Sequence, residues 1–238
     1  MSDKLTCTEH VVAFIDVLGA KKKISVCETD SLNIMHNSYN ESIKYMKMIF
    51  DKEWFKNRCP KARIFSDNIL LYCPVLSNDY KIAFVDILML VAMIQTQFLN
   101  NGYLVRGGIT AGSFFADDIM VWGKALKHAY NLEDSCAIYP RIIIDDSIMN
   151  NFQQGEFNDF IVQDDDGRFF VDYLSSSFGL ENTVRFAILN KAYQFNEKEL
   201  EDNITDEKVI KKLNWQKEYI IKKIDELIGI DEIGSLVK

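Results

Sequence analysis

The sequence predicts an α+β domain built on one mixed sheet, and three observations carry that reading. Short runs rich in β-branched and aromatic residues alternate with longer segments of helical spacing. Two of those runs, at 62–74 and 160–174, are split by polar turn residues and read as antiparallel hairpins. Beyond about residue 178 only helical pattern remains. With 238 residues, 48% hydrophobic and 26% charged, the chain has the material for one domain with a real core. We divide it into an α+β domain over 8–176 and a helical extension over 177–238 that packs on it.

The elements follow in order. HVVAFIDVL (10–18) is a buried strand ended by Gly19, with the basic run Lys21-Lys22-Lys23 after it. Asp30 and Ser31 are placed to cap a helix running to about Phe50. The hairpin RIFSDNILLY follows, and Asn78-Asp79 opens an apolar helix that stops near Asn101-Gly102. Tyr103 to Thr110 is a strand whose Gly107-Gly108 points to close backbone approach. A turn at Asp117-Asp118 leads to a helix from Gly123 to about Asp134, with Leu126, Ala129, Tyr130 and Glu133 on related faces. AIYPRIIID (137–145) reads as a strand, and FIVQDDDGRFFVDYL (160–174) as a hairpin. The last helix puts Val209, Ile210, Leu213, Ile220, Ile224 and Leu227 on one face. The pattern β-α-ββ-α-β-α-β-ββ is close to a ferredoxin-like βαββαβ core with mixed sheet, followed by C-terminal helices.

Composition bounds the partners. Lys and Arg total 27 against 35 Asp and Glu, a net charge of −8, which argues against binding duplex nucleic acid. Five cysteines without a CxxC suit reduced thiols. The N-terminal MSDKLTCTEH has no signal-peptide pattern, and the apolar window 82–99 contains Asp86 and two glutamines. A soluble cytoplasmic protein that does not engage a membrane is the expectation.

Two aspartates sit where apolar residues belong. Asp16 lies inside FIDVLG, and Asp67 interrupts the hairpin RIFSDNILLY. Each is costly in a strand unless paired, hydrogen-bonded or bound to metal. For Asp67 a turn is the simpler alternative, since Asp and Asn bond their own backbone. Side by side the two carboxylates repel, and a divalent cation resolves that repulsion. Gly19-Ala20-Lys21 forms a strand-to-helix turn of the kind that holds phosphates, although a lysine run is also an ordinary solvated face. Trp122, Phe14 and Phe65 read as core, and His128 as a partly buried helix residue.

These residues resemble a known family. FIDVLG is similar to the metal-binding first strand, F-x-D-[IV]-x-G, of class III nucleotidyl cyclases, and FSDNIL to their second metal-aspartate motif. LVRGGITAG (104–112) resembles their R-x-G-I-x-x-G strand. VWGKALKHAYNLED (121–134) looks like the segment that opens their dimer-interface helix, and AIYPRIIID like the strand after it. The compact form is most similar to the small bacterial pyrimidine cyclases of Pycsar antiphage systems, whose cyclic CMP or cyclic UMP activates a separate effector.

The resemblance implies two Mg²⁺ or Mn²⁺ ions per site on Asp16 and Asp67, with a nucleoside triphosphate as substrate and pyrophosphate as leaving group. Arg63 stands at the position of a base-reading lysine and Met120 at the other base-reading position. Both departures disfavour purines without naming another base, and the likeness to the pyrimidine cyclases implies UTP or CTP. Lys127 and Asn131 fall where the family's helix carries an asparagine and an arginine. Arg106 is expected to support the site or pair with a carboxylate, Arg168 to reach the triphosphate, and Gly19 and Ala20 to contact substrate. The family's sites combine two subunits, which implies a head-to-tail homodimer. Two other readings stay open: an inactive nucleotide-binding or phage-sensing module of the same fold, and a palm-like enzyme making cyclic oligonucleotides. The latter would normally show an acidic pair in the hairpin, where Ser66-Asp67-Asn68 has one acid.

Overall fold

The computed structural model describes residues 4–50, 52–203 and 205–229. Its elements are β1 (Thr8–Val17), α1 (Ala20–Val26), α2 (Glu28–Ile49), α3 (Lys52–Asn57), β2 (Lys61–Phe65), β3 (Asn68–Pro74), α4 (Tyr80–Asn100), β4 (Val105–Ala116), β5 (Val121–Gly123), α5 (Lys124–Ser135), β6 (Ile142–Ile144), α6 (Asp146–Met149), β7 (Ile161–Gln163), β8 (Phe169–Val171), α7 (Asn182–Asp202) and α8 (Glu207–Ile228). The strands form one mixed sheet in the order β2-β3-β1-β4-β6-β8-β7, with β5 folded back on β4. The first four are mutually antiparallel in the order of a split βαβ unit, and β6 joins β4 in parallel through α5. The chain therefore forms the α+β mixed-sheet fold that its pattern predicts.

Alternation along β1 explains how the sheet is covered. Val11, Ala13, Ile15 and Val17 join the main core with α2, α4, α7 and α8, where Phe84, Ile87, Val91 and Phe98 are fully buried. Val12, Phe14 and Asp16 face the other way, where α5 packs through Ala125 and Ala129. Gly108 permits that packing: a β-carbon there would lie 2.5 Å from Leu132 Cβ and 2.8 Å from the Ala129 carbonyl oxygen. The close approach read from Gly107-Gly108 is thus with α5 on one side and β1 on the other. Helix α4 is long and apolar enough to cross a membrane, yet 78% of its most apolar window is buried inside the fold. The Asp79 carboxylate caps it, accepting from the Lys81 and Ile82 amides.

Several expectations need correction. The helix expected from Asp30-Ser31 to about Phe50 is α2, but it starts at Glu28 with Cys27 as its cap, so Asp30 sits in its first turn and Ser31 is buried; a separate short helix, α1, precedes the extended Cys27. Of AIYPRIIID only Ile142–Ile144 pairs in the sheet, because 137–141 turns back on itself through bonds such as Arg141 N–H to Tyr139 O. Phe14 is buried as expected, but Phe65 is 51% and Trp122 66% exposed, since α5 leaves the β2–β3 side of its face uncovered. His128 is also on an exposed side of α5, with its ring against Asp145 and Thr110.

The C-terminal helices are anchored by polar contacts that hydropathy does not show. Lys223, on α8, pairs with Asp172 at 2.7 Å, and Tyr219 donates to the same carboxylate at 2.6 Å, all three buried. Trp215 donates to Asp164 and stacks on Tyr139. Arg141 is completely buried and pairs with Asp164 and Asp166, so the acidic hairpin turn also serves as its counter-ion. Of the helical face expected, Leu213, Ile220 and Leu227 are buried, and Val209, Ile210 and Ile224 partly so. Residues 230–238 of the extension lie outside the described residues.

Candidate active site

Strand register brings the site together. Asp16 is cross-strand from Asn68 on β3 and from Arg106 on β4, so all three share the α5 face at one end of the sheet. Asp67 is in the two-residue turn between β2 and β3, where Ser66 takes φ 54°. The turn is fixed from both sides: the Asp67 carbonyl accepts from Val17 N–H at 3.0 Å, and the Asn68 amide donates to Asp67 Oδ1 at 3.2 Å. Gly19 follows β1 with φ 73°, a conformation that favours glycine, and starts α1. Asp16, Asp67, Gly19, Ala20, Lys21 and Arg106 thereby line one open cleft of about 420 Å³, with Tyr130, Glu133 and Asp134 of α5 across from them.

The charges in this cleft are tightly coupled. Arg106 lies 3.4 Å from Asp16 Oδ2 and 2.6 Å from Glu133 Oε1, and donates to the Ala137 carbonyl at 3.3 Å. Burial raises the Asp16 carboxyl above its ordinary range; Arg106 pulls it down, and Asp67 pushes it up again. Burial also pushes Glu133 up to about 7 despite Arg106, with Asp16, Asp134 and Asp67 adding to the rise. The close Arg106–Glu133 approach is one of distance alone, since Oε1 is buried without a well-directed hydrogen bond. One guanidinium is shared between two carboxylates, and the remaining negative charge makes the cleft attractive to a cation.

The other predicted residues fall elsewhere. Arg63 shares the α5 face with Phe14 and Asp16, and its Nη2 donates to the Asp117 carbonyl at 2.7 Å. Met120 closes the same turn: its N–H donates to Asp117 Oδ1 at 2.8 Å and its carbonyl accepts from Asp117 N–H. Arg63 and Met120 therefore meet at the β4–β5 turn, outside the cleft. Lys127 lines a neighbouring groove of about 630 Å³ with Phe14, Phe65, Leu70, Trp122 and Tyr130. Asn131 is exposed on α5, and Arg168 lies on the β7–β8 hairpin beside Asp166, away from the cleft. Tyr130 lines both cleft and groove.

Sequence reading missed Glu133 and Asp134 as cleft residues and Lys212 as a neighbour. Burial lowers the Lys212 ammonium, Arg106 adds to the drop, and Asp16 opposes it, so α8 brings charge close to the site. Helical spacing from Tyr130 was the available signal for Glu133; nothing local pointed to Lys212.

As to metal, Asp16 and Asp67 line the same cleft, and among the described residues no three or more His, Cys, Asp or Glu are disposed to hold an ion. Two carboxylates fit Mg²⁺ or Mn²⁺ bound together with a polyphosphate, because Mg²⁺ takes one or two protein carboxylates and completes its shell with water and phosphate oxygens.

No protein-family model matches this chain, and no curated protein matches it. Among solved structures it is similar to a class III adenylyl cyclase-like ATP-binding protein from Pseudomonas aeruginosa, at 10% identity and TM-score 0.44; the likeness covers 68% of this chain and 38% of that one. It is also similar to the catalytic core of a rhodopsin-guanylyl cyclase with converted specificity in complex with ATPαS, at 16% identity and TM-score 0.46, over 71% of this chain and 98% of that one. These likenesses concern the course of the chain, which is an α+β mixed-sheet fold.

Proposed function

We propose that the chain is a nucleotidyl cyclase that converts a nucleoside triphosphate, UTP or CTP, to a 3′,5′-cyclic mononucleotide and pyrophosphate. The observation that supports this most is the placement of Asp16 and Asp67 at one open cleft by the register of three strands. These two carboxylates would hold two Mg²⁺ or Mn²⁺ ions, which when bound supply charge neutralisation and a more acidic 3′-hydroxyl. Arg106 orients Asp16, and Glu133 in turn fixes Arg106. Lys21, with the Gly19-Ala20 turn, presents positive charge and backbone N–H groups to the triphosphate. Arg63 and the Met120 turn would read the base, and the planar guanidinium favours paired acceptors.

Lys127 and Asn131 lie outside the cleft of their own chain, which fits a homodimer in which α5 of one copy faces the cleft of the other. Exposed Phe65 and Trp122 on the same face give that contact an apolar surface. The cyclic product would act on a separate effector in antiphage signalling. The test is incubation of the protein with each triphosphate and Mn²⁺, followed by mass spectrometry. Cyclic mononucleotide from UTP or CTP, lost by at least about 100-fold in Asp67→Asn, is expected. A nucleotide-binding module without turnover is the second reading, favoured by the Arg106 contact that already offsets part of the Asp16 charge. Tight nucleotide binding with no product from any triphosphate would establish it; linked dinucleotides would point to the palm-like alternative.

A further inference from the structure

We infer that the cavity between α1, the C-terminal end of α4 and α7–α8 is a binding site for a small amphipathic anion: an apolar body carrying a carboxylate or phosphate monoester. The cavity has about 570 Å³, and Leu18, Ile34, Leu104, Phe195, Val209 and Leu213 give it apolar walls. Small-molecule sites have this size and character, with a few polar groups that fix orientation. The polar groups here are Lys22, Lys23 and Lys212 against Asp30 and Glu199. Asp30 accepts from the Cys27 thiol at 3.0 Å, Glu199 from the Asn203 amide at 3.4 Å, and Lys22 donates to Asn203 at 3.4 Å.

Lys23 decides the ligand's charge. It is half-buried, its Nζ donates to the Gly102 carbonyl at 2.6 Å, and it stands 3.8 Å from the centre of the Tyr103 ring. Among the described residues no carboxylate comes within ion-pair distance of it. Burial lowers its pKa, which Glu199 only partly opposes. A desolvated cation without a counter-ion is unfavourable, and an anionic headgroup relieves that while the apolar body covers the walls.

The test uses the full chain with decanoate, decyl phosphate, decanol and decyltrimethylammonium, each below its micelle concentration, by calorimetric titration. One or both anions are expected to bind saturably, at least about tenfold tighter than decanol, and the ammonium not at all. Which anion binds separates carboxylate from phosphate ester. Lys23→Gln should remove the tenfold advantage and Lys23→Arg keep it. Should Lys23→Gln fail to fold, Ile34→Trp, which fills the cavity and keeps Lys23, must abolish binding. Equal binding of decanol and the anions, unchanged anion binding in Lys23→Gln, or no saturable binding of either anion overturns the inference.

Discussion

Gly108→Ala tests whether α5, which carries one wall of the cleft, is seated directly on the backbone of β4. The added β-carbon would be 2.5 Å from Leu132 Cβ and 2.8 Å from the Ala129 carbonyl oxygen. Carbon atoms pack at about 3.5 Å, so something must give by about 1 Å. The strand cannot sink, because β1 and β6 hold it on both sides. Helix α5 therefore has to lift, loosening Ala125, Ala129 and Leu132 together. Overpacking of this kind costs about 1–3 kcal/mol, and the lower chain entropy of alanine offsets about 0.4–1 kcal/mol of it. A net loss of about 1.5 kcal/mol corresponds to a fall in Tm of about 3–6 °C for a chain of this size. Scanning calorimetry reads it, with Gly108→Val expected to fall further. Because Tyr130, Glu133 and Asp134 ride on α5, the cleft would open as well. If both variants match wild-type stability, the seating is wrong.

Three more outcomes follow from the same contacts. Lys223→Met leaves Asp172 buried with Tyr219 as its remaining donor, and should lower stability in urea by about 3 kcal/mol, of which Asp172→Asn in the same chain recovers part; an unchanged midpoint would refute the anchor. The folded chain holds a proton on Glu133 up to about 7, whereas the unfolded chain releases it near the ordinary value of 4.5, so Glu133 makes stability fall as pH rises between these values, by about 3 kcal/mol in full. Glu133→Gln should flatten that fall in urea midpoints from pH 5 to 8; parallel curves for the two proteins would count against it. Trp122→Glu places a charge on the exposed apolar groove and should convert a dimer to a monomer in light scattering, whereas a monomeric wild type would rule the groove out as that interface.

What was legible in the sequence was what depends on near neighbours. The β1 run, the 62–74 hairpin, α4 with its Asp79 cap and α5 after Gly123 all came from periodicity and turn chemistry. The break at Cys27 was not legible, since KKKISVCETD holds neither Gly nor Pro and only packing turns the chain there. In AIYPRIIID, β-propensity overran the strand, because Tyr139 leaves the sheet to stack on Trp215, far along the chain. Apolar character marked Phe65 and Trp122 as core, but composition does not say which part of a sheet face a helix will cover.

The sequence by itself determined the α+β order of elements and the two anomalous aspartates, because hydrophobic periodicity and the cost of a strand carboxylate are local facts. The tertiary structure alone decided that Arg106 and Glu133 share charge with Asp16, and that Arg63 meets the Met120 turn outside the cleft. It also decided that α8 is held by Lys223 on Asp172. These depend on strand register and on charge pairing between residues distant in the chain, where distance and burial set the electrostatics and spacing along the sequence does not specify the partners.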